Sequence, residues 1–84
     1  MLDELLILKK IKGGDIKAFE ELFRRYYFPL CCYAAGITGQ MEVAEEIVEE
    51  LFYVLWKERE RLQIFQSVKS YLYRATRNQS LQYC

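Results

Sequence analysis

Between residues 43 and 56 the sequence sets apolar side chains in four consecutive pairs: Val43-Ala44, Ile47-Val48, Leu51-Phe52 and Leu55-Trp56. In a strand, neighbours point to opposite faces and every pair would be split. In a helix, the 3.6-residue period gathers all four pairs on one side. The glutamates Glu42, Glu45, Glu46, Glu49 and Glu50 fall mainly between the pairs, on the other side. Carboxylates in the first turns also suit the positive end of the helix dipole. A helix with so clear an apolar side has to bury it, and the rest of the chain must supply what covers it.

The rest of the chain reads as helix too. Phe19, Leu22, Phe23, Tyr26, Leu30, Tyr33, Ala34 and Ile37 follow the same period. Asp15 is a good N-cap for this segment, and Gly36 and Gly39 mark its end. Pro29 lies inside the pattern, where it removes a backbone donor, so a kink is expected rather than a break. Upstream, Leu2, Leu5, Leu6 and Ile11 outline a short amphipathic helix that opens near Asp3 and stops at Gly13-Gly14. Lys57 to Gln66 loses the period and reads as a polar turn. Ser67 then caps a last helix whose apolar face is Val68, Tyr71, Leu72, Ala75 and Thr76. The expected fold is all-α: a compact bundle of three main helices, 15–37, 41–57 and 67–83, with a short N-terminal lead-in over 1–13. Its core should include Phe19, Leu22, Phe23, Ile47, Val48, Leu51, Phe52 and Leu72.

The chain has 84 residues, enough for one domain but a small one. A domain of this size buries only about 60–65% of its unfolded surface, so it needs a rich core. A hydrophobic content of 52%, with 15% aromatic residues, provides one and argues against disorder. Cys31, Cys32 and Cys84 form neither a disulfide framework nor a metal-ligand spacing, which fits a reducing cytoplasm. No apolar run approaches the ~20 residues of a membrane span, so no membrane insertion is expected. Leu2–Leu8 contains Asp3 and Glu4 and lacks the basic start of a signal peptide. The final Leu81-Gln82-Tyr83-Cys84 carries no stop signal and suggests a segment of a longer protein.

Formal net charge is zero, yet it is segregated. Residues 1–50 hold six basic and ten acidic residues, a balance of −4, and residues 51–84 hold six basic and two acidic, a balance of +4. Opposite faces suggest two partners of different charge rather than one purely electrostatic contact with nucleic acid. Enzyme chemistry finds no support: there is no His, no Gly-rich phosphate loop, and no base to activate Cys31 or Cys32. No cofactor is expected. The last helix sets Lys69, Arg74 and Arg77 beside Tyr71, Tyr73 and Asn78. Cations neutralise phosphates, aromatic rings stack on unpaired bases, and Asn presents a donor and an acceptor to a base edge. Trp56, near its helix end, is either core or a binding anchor.

Taken in order, these features resemble region two of the sigma-70 factors, and specifically the extracytoplasmic-function group. Gly14-Asp15, Ala18-Phe19 and Leu22-Phe23 resemble the opening of that region. Ala44 to Phe52 with Leu55-Trp56 looks like its polymerase-binding helix, and Ser67 to Arg74 with Arg77-Asn78 like its promoter-contacting helix. The Tyr71-Leu72-Tyr73-Arg74 wording is most similar to sigma factors of Bacteroidetes. The likeness spans about residues 13–84. Glu46 and Glu49 stand where the family usually has Asp and Gln, and Tyr71 stands for an aromatic that is often Trp. The family's helix-turn-helix half is not in this chain.

The resemblance implies a cytoplasmic, bacterial transcription-initiation module that binds core RNA polymerase and melts the downstream promoter element. It implies that Glu46, Glu49, Glu50 and Trp56 meet the polymerase clamp helices. It implies further that Arg59, Arg61, Lys69, Tyr71, Arg74, Arg77 and Asn78 contact promoter DNA, preferring the single-stranded non-template strand. Glu58 to Gln66 resembles the segment that receives a flipped base, and an anti-sigma factor is an expected partner. Two other readings remain open on the residues themselves: a protein-only helical adaptor, and a duplex-reading helix-turn-helix.

Overall fold

Asp3, Asp15 and Ser67 each open a helix by accepting from backbone N–H groups that the first turn leaves free. Asp3 takes the amide of Leu5 at 3.3 Å, Asp15 those of Lys17 and Ala18 at 3.0 and 3.2 Å, and Ser67 that of Ser70 at 3.1 Å. The computed structural model describes residues 3–63 and 67–84. Its helices are α1 (Glu4–Lys12), α2 (Ile16–Thr38), α3 (Met41–Lys57) and α4 (Val68–Tyr83), with a 3₁₀ turn (Arg59–Arg61) after α3. No strand occurs among the described residues. Leu2 and Ile64–Gln66, which were assigned to the lead-in helix and the DNA-contacting loop, lie outside them.

α2 runs unbroken through Pro29 and passes Gly36 as well. It stops at Gly39, whose φ of 78° is the left-handed conformation that suits glycine and whose N–H donates to Ala35 O at 2.8 Å. α3 starts without a side-chain cap; Thr38 instead bonds the backbone of Gln40 from both directions.

α2 packs most extensively on α3 and then on α4. The contact is lined by Leu22, Leu30, Cys31 and Ala34 of α2, Ala44, Val48, Phe52 and Leu55 of α3, and Val68 and Leu72 of α4, all buried. Of the residues expected in the core, Leu22, Val48, Phe52 and Leu72 are fully enclosed. Phe19, Phe23 and Leu51 are half-buried against it. Ile47 is also half-buried and lines a cleft between α3 and α4. Besides Leu22 and Leu30, the buried positions of α2 are small residues, Ala18, Cys31 and Ala34, while the rings of Phe19 and Phe23 stand half-buried at the margin.

The apolar face expected for α1 is corrected. Leu5 and Leu6 are 41% and 42% exposed, whereas Ile7, Leu8 and Ile11 are buried. The cause is local. Four apolar residues in a row, Leu5 to Leu8, wrap most of the way round a nine-residue helix, so periodicity alone does not choose a side. Glu4 lies over the buried arc and decides the docking: it accepts from Tyr26 Oη at 2.6 Å and pairs with Arg25 at 3.4 Å. Lys12 Nζ donates to Leu62 O at 2.7 Å and fastens the loop after α3 to the end of α1. α1 is thus a fourth packed helix, more than a lead-in.

Candidate functional site

All five glutamates of α3 are exposed. Among the described residues none of them takes part in an ion pair; the pairs that form are Glu20–Arg24, Glu21–Arg25, Glu4–Arg25 and Glu58–Arg61. The glutamates split into two rows. Glu46 and Glu50 border an open cleft of about 700 Å³ between α3 and α4, which Val43, Ile47, Leu51 and Val54 line from α3. Glu45 and Glu49 lean toward α2, where Glu49 accepts from Tyr27 Oη at 2.9 Å. Burial first, and then the bond to Glu49, push the Tyr27 phenol well above its ordinary range. Burial likewise pushes the adjacent Cys31 thiol up, with Tyr27 partly opposing and Glu45 and Glu49 adding to the effect.

Trp56 is not an open anchor. Its half-buried ring lies between Phe19, at 5.1 Å between centroids, and the Arg59 guanidinium, 4.2 Å from the ring centre. Arg59 Nη1 also donates to Trp56 O at 2.9 Å, which satisfies a carbonyl at the end of α3. The aromatic that α3 does present is Tyr53, 59% exposed, with Val54 beside it at 42%. Both were overlooked in the sequence. The available signal is that they stand four residues after Glu49 and Glu50, at positions the helical period makes polar.

α4 carries the basic side. Lys69, Arg74, Arg77 and Asn78 are exposed, and among the described residues none of the three cations has an acidic partner. Arg74, Arg77 and Asn78 lie within about 100° of arc at roughly 100° per residue, and so share one outward face. Lys69 is roughly 140° from Arg74 on the same count, on the flank of Tyr73, which packs edge-on against Tyr33 of α2 at 5.1 Å. Tyr71 is half-buried against the core. Asn78 also lines the α3–α4 cleft, opposite Glu46 and Glu50. Arg61 is 86% exposed but pairs with Glu58 at 3.1 Å, and residues Lys57 to Arg61 line a second, smaller cleft of about 330 Å³. The residues assigned to DNA therefore do not form one patch. Arg74, Arg77 and Asn78 come together, Lys69 stands apart, and Arg59 is engaged by Trp56.

Two adjacent helices of one bundle thus present, among the described residues, carboxylates without counter-ions on one and cations without counter-ions on the other. This is an all-helical module with an acidic and a basic face side by side. Residues 22–84 match the Sigma-70 region 2 family, and the chain belongs to that family. Sigma-70 region 2 is the part of a sigma factor involved in RNA polymerase binding and promoter melting. No curated protein and no solved structure gives a significant match. Among the described residues no helix is long and apolar enough to cross a membrane.

Proposed function

We propose that this region two is of the extracytoplasmic-function type and bridges core RNA polymerase and the separated non-template strand of a promoter, acting by binding alone. The observation that carries this reading is the unpaired charge: among the described residues the exposed α3 glutamates have no basic partner and the exposed α4 cations have no acidic one. Glu46, Glu49 and Glu50 meet a basic surface on the polymerase clamp helices, with Tyr53 and Val54 as the apolar part of the contact. Complementary charge of this kind speeds encounter and fixes register more than it adds affinity. Arg74, Arg77 and Asn78 track the DNA strand, and the cleft at Lys57–Arg61 lies beside the path of an unstacked base. Holding bases out of the stack offsets the cost of opening the duplex. The working compartment is the bacterial cytoplasm, and the same acidic face is the natural target of an anti-sigma factor.

The test is direct. Charge reversal at Glu46 and Glu50 should abolish capture of core RNA polymerase while helicity by circular dichroism is retained. In fluorescence anisotropy with core enzyme present, single-stranded promoter oligonucleotide should bind more tightly than duplex. Unchanged capture by the folded double variant removes the docking half of the proposal. Equal or tighter duplex binding at every salt concentration removes the strand-trapping half and favours a duplex reader.

A further inference from the structure

Glu49 differs from the other α3 glutamates in being held by a second helix. Tyr27, on α2, donates its hydroxyl to Glu49 Oε2 at 2.9 Å across the α2–α3 contact. The Tyr27 ring is itself fixed, stacked on Phe23 at 4.7 Å and 21° between planes. Phe23 in turn packs edge-on against the buried Phe52 at 5.0 Å. A chain of contacts therefore runs from the core ring of Phe52, through Phe23 and Tyr27, to one carboxylate on the surface. A free glutamate side chain samples many rotamers, and fixing it on binding costs conformational entropy. A hydrogen bond to an already fixed phenol removes part of that cost before a partner arrives. The bond uses one oxygen of Glu49, leaving the charge and the remaining lone pairs for a cation.

We infer that Tyr27 is a positioning residue for polymerase docking, holding the Glu49 carboxylate in the orientation that a basic group on the polymerase meets. This rests on the docking reading given above. It assigns a role to an α2 residue that does not itself lie on the α3 acidic face, and it separates Glu49 from Glu46 and Glu50, which have no such support among the described residues.

The experiment is a double-mutant cycle on core RNA polymerase binding, using the 84-residue chain and the variants Tyr27→Phe, Glu49→Ala and both together. Tyr27→Phe removes only the hydroxyl and leaves the ring on Phe23, so the melting temperature checks that the fold is intact. Loss of one such bond should weaken polymerase binding by roughly three- to tenfold. That loss should vanish in the Glu49→Ala background. A loss of the same size in that background means that Tyr27 acts through the fold and overturns the inference. So does unchanged binding by Tyr27→Phe, whether or not Glu49→Ala weakens it. Reversal of Glu46 and Glu50, measured alongside, reports on the docking reading by itself: if it abolishes binding while Tyr27→Phe has no effect, only the positioning role falls.

Discussion

Phe52 is the largest fully buried side chain among the described residues. It is 1% exposed at the meeting of α2 and α3, and its ring takes edge contacts from Phe19 at 6.1 Å and Phe23 at 5.0 Å. Phe→Ala in a core costs about 3–5 kcal/mol from lost transfer energy and the cavity left behind. Two aromatic contacts, at about 0.5–1.5 kcal/mol each, put this site in the upper half of that range. The better helix propensity of Ala returns only about 0.5 kcal/mol. A net loss of about 4 kcal/mol is expected. A domain of this length has roughly 4–12 kcal/mol in total, so Phe52→Ala should remove a third of its stability or all of it. At about 4–8 °C per kcal/mol, the melting midpoint by circular dichroism should fall by roughly 15–30 °C. Phe52→Leu, which refills most of the space, should fall much less. A drop below about 5 °C for Phe52→Ala would mean that the site collapses around the smaller side chain, and that the aromatic cluster does not carry the α2–α3 contact.

Thr76 is fully buried and among the described residues its Oγ1 has no hydrogen-bond partner, so Thr76→Val should stabilise the domain by about 1 kcal/mol; a lower urea midpoint than wild type would contradict this. The Tyr26 phenol is pushed up to about 12, by burial first and then by its bond to Glu4. A raised folded pKa means that its contribution is fully present below the ordinary value near 10 and is lost as the pH climbs through the folded one. Tyr26→Phe should therefore flatten the decline in stability between about pH 10 and 12, and an unchanged alkaline melting profile would count against it. Arg77→Ala should lower the slope of log affinity against log salt for single-stranded promoter DNA by about 0.7; a slope equal to wild type would take Arg77 out of phosphate contact.

How much of this was legible in the sequence depended on how strictly one helix face was specified. α3 was plain because its apolar pairs and glutamates alternate cleanly, and its buried residues Ala44, Val48, Phe52 and Leu55 come from those pairs. Asp15 and Ser67 were plain because a cap is a local feature. α1 was not, because Leu5 to Leu8 leave several faces apolar and the choice was made by Glu4 reaching Tyr26 and Arg25, more than 20 residues away. For the candidate site, composition indicated an acidic face and a basic one but not which side chains are already occupied. Arg59 reads as a free cation in sequence, yet it covers Trp56 and satisfies a helix-end carbonyl. Tyr27 reads as one of seven tyrosines, and only its position opposite Glu49 distinguishes it. Such pairings join residues distant in the chain, and periodicity carries no record of them.

The charge pattern is better explained by function than by stability. α2 shows what a helix surface does when the fold alone is served: Glu20 and Glu21 stand four residues before Arg24 and Arg25, and both pairs form. Pairs of this kind add about 0.3–0.5 kcal/mol each. α3 does the opposite. Glu42 and Glu46, Glu45 and Glu49, and Glu46 and Glu50 are like charges at the same spacing, each unfavourable by about 0.2–0.5 kcal/mol. The helix dipole offsets this only in the first turn. The net cost, on the order of 1 kcal/mol, is tolerable in a domain with the core described above, but the fold gains nothing from it. A basic partner on that face would add attractions that outweigh these repulsions. The same reasoning applies to α4, whose Lys69, Arg74 and Arg77 have no acid between Arg61 and Cys84 to pair with. Surfaces that are mildly unfavourable alone and complementary to an opposite charge are what a bridge between a basic protein face and a polyanion requires.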